Sequence, residues 1–245
     1  MGTSTGQQIV DNIKDHLGNR ATGQIGSRGV DDACMASLNK SIRQIAKKFN
    51  PDELRQELTI DVSSASNSYD LPSGTINSLS TTIKNINTAV LLEDGETTGT
   101  LLQRIFINTL DSIEPYKDPN RTGRPYAYVI WNEDVYLYPY PEEDYTLYLK
   151  TNLWPPAITL SQLNPLNDYW EDVLEAYSTY DLYAKLQQTR DAASWFNIYR
   201  QTLKDTKAIL ENKPDMVQDA TSRDLHIGGF TGADPALNPF SKRGW

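Results

Sequence analysis

The stretch from Gly123 to Pro156, GRPYAYVIWNEDVYLYPYPEEDYTLYLKTNLWPP, constrains the fold more than any other part of the chain. Tyr126, Tyr128 and Ile130 alternate with Ala127, Val129 and Trp131, the period of a pleated strand whose two faces meet different surroundings. Asn132, Glu133 and Asp134 supply turn chemistry. Val135 to Tyr138 and Tyr145 to Lys150 repeat the alternation, with Pro139 and Pro141 between them, where a missing N–H costs least at a strand end or edge. The pattern predicts a three-strand meander ended by a proline stop. Both faces of its strands carry Tyr, Trp or aliphatic groups, more than one small core can hide, so one face is expected to touch other molecules.

The flanking segments change period. Ile9, Ile13 and Leu17 predict a short helix over 6–17, ended by Gly18, and Cys34, Leu38, Ile42, Ile45 and Phe49 predict a longer one from Val30, closed by Asn50-Pro51. Asp31 and Asp32 suit the positive end of that second helix. Leu58, Ile60 and Val62 alternate, SSASNS is loop, and Tyr69 to Pro72 reads as a returning strand, so a hairpin is expected. Within 73–122, Ile83 to Leu92 reads as strand, while Leu101 to Ile113 fits strand or helix equally. Asn167-Asp168 reads as a cap for a helix over 168–188 with Trp170, Val173, Leu174, Tyr177, Tyr180 and Ala184 as its stripe. A last helix, 191–212, turns Trp195, Phe196, Tyr199, Leu203, Thr206 and Leu210 inward, and the two are expected to pack on the helix at 30–49.

The expected fold class is α+β: a bundle of about four helices, 6–50 and 165–212, an inserted antiparallel β-rich region, 54–156, and an extended C-terminal tail, 213–245. The tail lacks the apolar periodicity to fold alone, yet spaces large apolar residues as an extended segment does when it lies along a partner.

Chemistry finds little footing. The two histidines, His16 and His226, belong to no zinc motif, the serines to no nucleophile elbow, and the glycines at 23, 26 and 29 to no phosphate loop. The single cysteine, Cys34, sits at core spacing within a helix. Glu142, Glu143 and Asp144 read as a solvated hairpin tip, since paired catalytic carboxylates need a cleft. No catalytic residue, metal ligand or cofactor is assigned. A net charge of −9 argues against gripping nucleic acid, whose phosphates are held by clustered Lys and Arg. No run of apolar residues is long enough to span a bilayer, and no targeting address is legible.

The sequence G-x-P-x-x-Y at 123–128, the phrase LYPYP at 137–141, the Y-x-L-P at 69–72 and the closing pair of aromatic helices resemble the head-to-tail adaptor (connector) proteins of tailed bacteriophages. The resemblance covers roughly residues 7–212. It implies a virion structural protein of the neck, assembled in the host cytoplasm: a homo-oligomeric ring, typically dodecameric, docked under the portal after genome packaging and used in ejection. Double-stranded DNA would pass through its channel without specific binding, and the tail or the next neck ring would attach below. A tail tubular or gatekeeper ring is the alternative within the virion, and an acidic cytosolic enzyme the alternative outside it. On the adaptor reading, Phe230, Phe240, Lys242, Arg243 and Trp245 are expected to dock on the portal, and Tyr136 and Tyr138 to make tail-side or inter-subunit contacts.

Overall fold

A computed structural model describes residues 2–18, 29–64, 66–93, 96, 98–108 and 121–211 of the chain. Four helices, α1 (Gly6–Leu17), α2 (Val30–Lys48), α3 (Glu171–Lys185) and α4 (Thr189–Glu211), flank a β-rich middle among these residues. Its strands are β1 (Arg55–Val62), β2 (Ser68–Asp70), β3 (Gly74–Ile76), β4 (Leu79–Thr81), β5 (Ile83–Glu93) and β6 (Thr100–Leu101). They continue as β7 (Gln103–Arg104), β8 (Thr122–Gly123), β9 (Ala127–Trp131), β10 (Asp134–Tyr138), β11 (Tyr140–Pro141) and β12 (Tyr145–Leu153). The mixed α+β class expected from the sequence holds. The chain divides into two compact units, Met1–Asp168 and Tyr169–Trp245.

In the first unit two four-stranded sheets lie face to face, ordered β1-β12-β5-β6 and β2-β10-β9-β7. Ile60, Val62, Ala89, Leu91, Leu147 and Leu149 of the first sheet share one buried cluster with Tyr128, Val135 and Leu137 of the second. This interdigitation of two inner faces is what a sandwich core requires. The β9–β10 hairpin forms as predicted, but the third strand of the expected meander does not join it. β12 instead inserts between β1 and β5 in the other sheet, pairing Leu147 with Ile60 on one side and Leu91 on the other. Two features favour the crossing. Pro139 and Pro141 have no N–H to give a ladder continuing from β10. Tyr145, Leu147 and Leu149 also gain most by burial against Val135 and Leu137, which only the opposite sheet allows.

The expected hairpin between β1 and β2 is corrected for the same reason. β1 pairs with β12 and β2 with β10, so the chain arches from one sheet to the other. Tyr69 closes that arch, its hydroxyl donating to the Ser63 carbonyl at 2.7 Å while burial pushes its pKa up to about 12. In the stretch the sequence leaves least readable, β3 and β4 form a small hairpin across Asn77-Ser78, both at positive φ (50° and 64°), the left-handed geometry of a tight two-residue turn. Ile83 to Leu92 is strand as expected, and 100–104 is extended rather than helical.

Helices α1 and α2 pair in the same unit. Thr5 and Gln8 form a reciprocal capping box, and Gly18, at φ 62°, ends α1 as predicted. The C-terminal end of α2 is satisfied from outside itself. Lys84 on β5 donates to the carbonyls of Ala46 and Phe49 and to Asn50 Oδ1, placing an ammonium at the negative end of the helix. The same ammonium lies over the Trp154 ring at 5.6 Å, with the Arg43 guanidinium at 5.8 Å.

An extended run after β12 is pinned from two sides. Asn39 of α2 donates to the Ile158 carbonyl (2.9 Å) and accepts from the Ile158 N–H (2.8 Å), as a neighbouring strand would. The first residues of the chain lie along the same run, with Gly6 N–H on the Gln162 carbonyl and Asn164 N–H on the Ser4 carbonyl. At Gly6 an added Cβ would stand 2.5 Å from the Thr159 oxygen, so only glycine permits this approach. Asp168 does not cap α3 as expected. It accepts from Thr3 N (2.7 Å) and Thr3 Oγ1 (3.1 Å), and the helix begins instead through a 3-10 turn at Asp168–Trp170.

The described residues of the second unit form a helical hairpin turned at Gln187 (φ 58°). Tyr177 of α3 meets Tyr199 of α4 edge-on at 5.2 Å, and Tyr180 meets Phe196 at 5.1 Å. Of the predicted stripes, Trp170, Val173, Leu174, Tyr199 and Thr206 are buried, and Tyr177, Tyr180, Trp195, Leu203 and Leu210 are half-buried. Ala184 and Phe196 face solvent instead.

Candidate interaction surface

The β9–β10 hairpin organises the face on which this molecule can meet others. Asn132 and Glu133 form its turn, both at positive φ (53° and 68°), which fixes the register Trp131–Asp134, Val129–Tyr136, Ala127–Tyr138. Alternation then sends Tyr128, Ile130, Val135 and Leu137 into the sandwich and the other set outward. A parallel strand adds to the outer face: Ile105 N–H bonds the Tyr128 carbonyl at 3.0 Å just after β7, which lays Ile105 and Ile107 over Val129 and Tyr138.

Among the described residues this outer layer is incomplete. Val129 and Tyr138 are buried beneath it, but Trp131 and Tyr126 each keep 55% of their surface. Tyr126 stands edge-on to Tyr138 with centroids 5.8 Å apart. Of the two tyrosines singled out from sequence, Tyr136 is half-buried at the margin of the patch, with its hydroxyl 3.5 Å from Asp134 Oδ2. Tyr138 is only 8% exposed and belongs to the support of the patch more than to its surface. Glu133, Asp134 and Asp70 gather at the Trp131 end, Asp134 directly across the ladder from Asp70. Like charges opposed on neighbouring strands repel, so a basic or neutral partner is favoured there.

A second group lies on loops of the same unit. Arg124 binds Glu96 through both terminal nitrogens (2.8 and 2.5 Å), stands 3.9 Å from Glu93, and lies over the Tyr145 ring at 5.9 Å. The guanidinium holds Glu96 below its ordinary range, while the hydrogen bond that protonated Glu93 donates to Glu143 raises Glu93. Of the acidic run 142–144, Glu143 thus pairs with Glu93, and Asp144 accepts from Ser64 N at 2.9 Å. Among the described residues no cluster of His, Cys, Asp and Glu has the arrangement to hold a metal ion. Cys34 is fully buried in α2, and His16 is exposed near the end of α1. Phe230, Phe240, Lys242, Arg243 and Trp245, with His226, lie outside the described residues. Among those described, no helix is long and apolar enough to cross a membrane.

The sequence reading missed Ile105 and Ile107 as part of this face. The short apolar run gives no direction by itself, and only the parallel pairing with β9 assigns it. The Arg124–Glu96 clamp left no sequence signal, because loop closure brings the two together.

Compared with known families, the chain is matched over residues 4–224 by the sequence model for the SU10 adaptor protein. None of the curated proteins matches it.

Proposed function

Since the chain belongs to the SU10 adaptor protein family, a family of phage head-to-tail adaptors, we propose that it works as a ring of identical copies, probed first as a dodecamer, docked under the portal. In that place it extends the DNA channel and presents the site on which the tail or the next neck ring assembles. The observation that carries the reading is the family match spanning both compact units. A net charge of −9 suits a channel wall along which a genome slides without being held. The incomplete aromatic face around Trp131, Tyr126 and Tyr136 suits a contact with the neighbouring copy or the ring below, as amphipathic aromatic rings do at interfaces. The segment 213–245 is assigned to the portal, with Phe230, Phe240 and Trp245 as anchors and Lys242 and Arg243 beside them.

The test is the mass of the purified protein with and without purified portal. The expected result is no ring from the protein alone and a closed ring once portal is added. A protein indifferent to portal, or one that turns over a small molecule, overturns the proposal.

A further inference from the structure

Four strands form the edges of the two large sheets, and three of them are too short to offer a ladder: β6 and β7 have two residues each and β2 three. Short edges are one way proteins prevent unwanted pairing. β1 is built otherwise. Its eight residues pair with β12 without a register shift, and among the described residues no strand of its sheet lies on its other side. It contains no proline, and its core-side residues are Gln56, Leu58, Ile60 and Val62, none of them charged. Arg55, Glu57, Thr59 and Asp61 face solvent. A straight open edge of this length is a template for another strand.

We propose that outside the virion this edge is covered by the β1 edge of a second copy, the two strands antiparallel about a two-fold axis at Leu58. The charges on the exposed face select that register. With Leu58 opposite Leu58, Arg55 stands against Asp61 at both ends of the pair, and Glu57 stands against Thr59. A shift of two residues in either direction sets Glu57 against Asp61 or against the Glu57 of the other copy, and like charges directly opposed are destabilising. A shift of one residue brings the apolar face of one copy to the solvent face of the other. Arg55 also reaches Asp52 at 3.3 Å, and the five donors of a guanidinium serve both carboxylates. Such a contact is isologous and closes at two copies, whereas neighbours in a cyclic ring meet through two different surfaces. The paired form therefore belongs to the free protein and competes with ring assembly. This inference stands on the strand edge alone and survives or fails independently of the adaptor role.

The experiment is sedimentation of the full chain without portal, over a range of rising concentration. A monomer–dimer equilibrium is expected. Arg55→Asp and Asp61→Arg each turn two attractions into two repulsions and should weaken the dimer about tenfold or more. The double variant restores the attractions with reversed sign and should restore the dimer. Thr59→Arg sets an arginine opposite Glu57 of the second copy and should tighten it, which supplies a readout if either reversal fails to fold. A protein monomeric at every concentration overturns the proposal. So does a dimer that both reversals and Thr59→Arg leave unchanged.

Discussion

The two faces of the β9–β10 hairpin are made of nearly the same chemistry and end in different environments. Inward, Tyr128, Val135 and Leu137 are sealed by the opposite sheet; outward, Val129 and Tyr138 are covered, among the described residues, by the half-buried Ile105, Ile107 and Tyr136, and Trp131 stays half bare. Apolar alternation on both faces of a strand therefore does not say which face the chain closes itself. It says that each must be closed by something. The inner face is closed by β12, which the loop at Pro139 and Pro141 delivers to the other sheet. For the outer face the described residues supply a partial lid, and the adaptor reading supplies the rest as another molecule.

The sharpest way to break the comparison is to truncate one residue on each face. Leu137→Ala leaves a cavity in the sandwich and should cost about 2–5 kcal/mol of unfolding free energy. Trp131→Ala, although the larger deletion, should change stability by no more than about 0.5 kcal/mol. Chemical denaturation of the two variants checks both. If Trp131→Ala proved as costly as Leu137→Ala, the outer face would already be closed within the free chain.

Next in size is the cap that ties α2 to the sandwich. Lys84→Met keeps the stem over Trp154 and removes the donor to the Ala46 and Phe49 carbonyls, so a loss of about 1–2 kcal/mol is expected. Thermal unfolding reads it, and an unchanged midpoint would show that water serves those carbonyls as well.

On the outer face itself the expected effect lies in assembly. Tyr136→Asp should leave the fold intact and portal binding unchanged but abolish tail attachment in virion reconstitution. Tyr138→Asp is not an equivalent probe, because a carboxylate there would be buried. Loss of portal binding by Tyr136→Asp, with tail attachment retained, would reverse the proposed polarity.

Much of the fold was legible because its signals are local. The end of α1 at Gly18, the acidic first turn of α2 and the Asn132-Glu133 turn depend on residues within a few positions of one another. Strand partners are not local. Tyr145 to Leu149 announce a strand plainly, yet nothing in their alternation tells whether they continue from β10 or cross to β1 and β5. Burial of Leu147 between Ile60 and Leu91 decides it. Asp168 failed as a cap on similar grounds: Thr3 competes for its carboxylate from far along the chain. The outer face was half visible, since Trp131 and Tyr136 lie in the hairpin, while Ile105 and Ile107 joined it through a parallel pairing that no short-range pattern encodes.

The smallest expected effect concerns the carboxylates around Arg124, which lie beyond the end of the sandwich and set it against its own interior. Arg124 holds Glu96 below the ordinary value of 4.5, so Glu96 contributes stability present above that value and lost as pH falls through the lowered one. Glu93 runs the opposite way. The hydrogen bond with Glu143 and the neighbouring charge raise it above 4.5, so its contribution is complete below that value and fades as pH rises through the raised one. Glu143→Gln removes the charge that raises Glu93 while keeping a group able to hydrogen-bond. The variant should therefore match the parent on the acidic side of 4.5 and exceed it slightly in melting temperature above the raised value, where the parent alone opposes two carboxylates. Glu96→Gln should do the reverse, losing stability near neutrality and nothing once the parent's Glu96 is protonated. Melting temperatures of the three proteins across the acidic range check this. A difference for Glu143→Gln that is the same at every pH would show that Glu143 acts by packing rather than by charge.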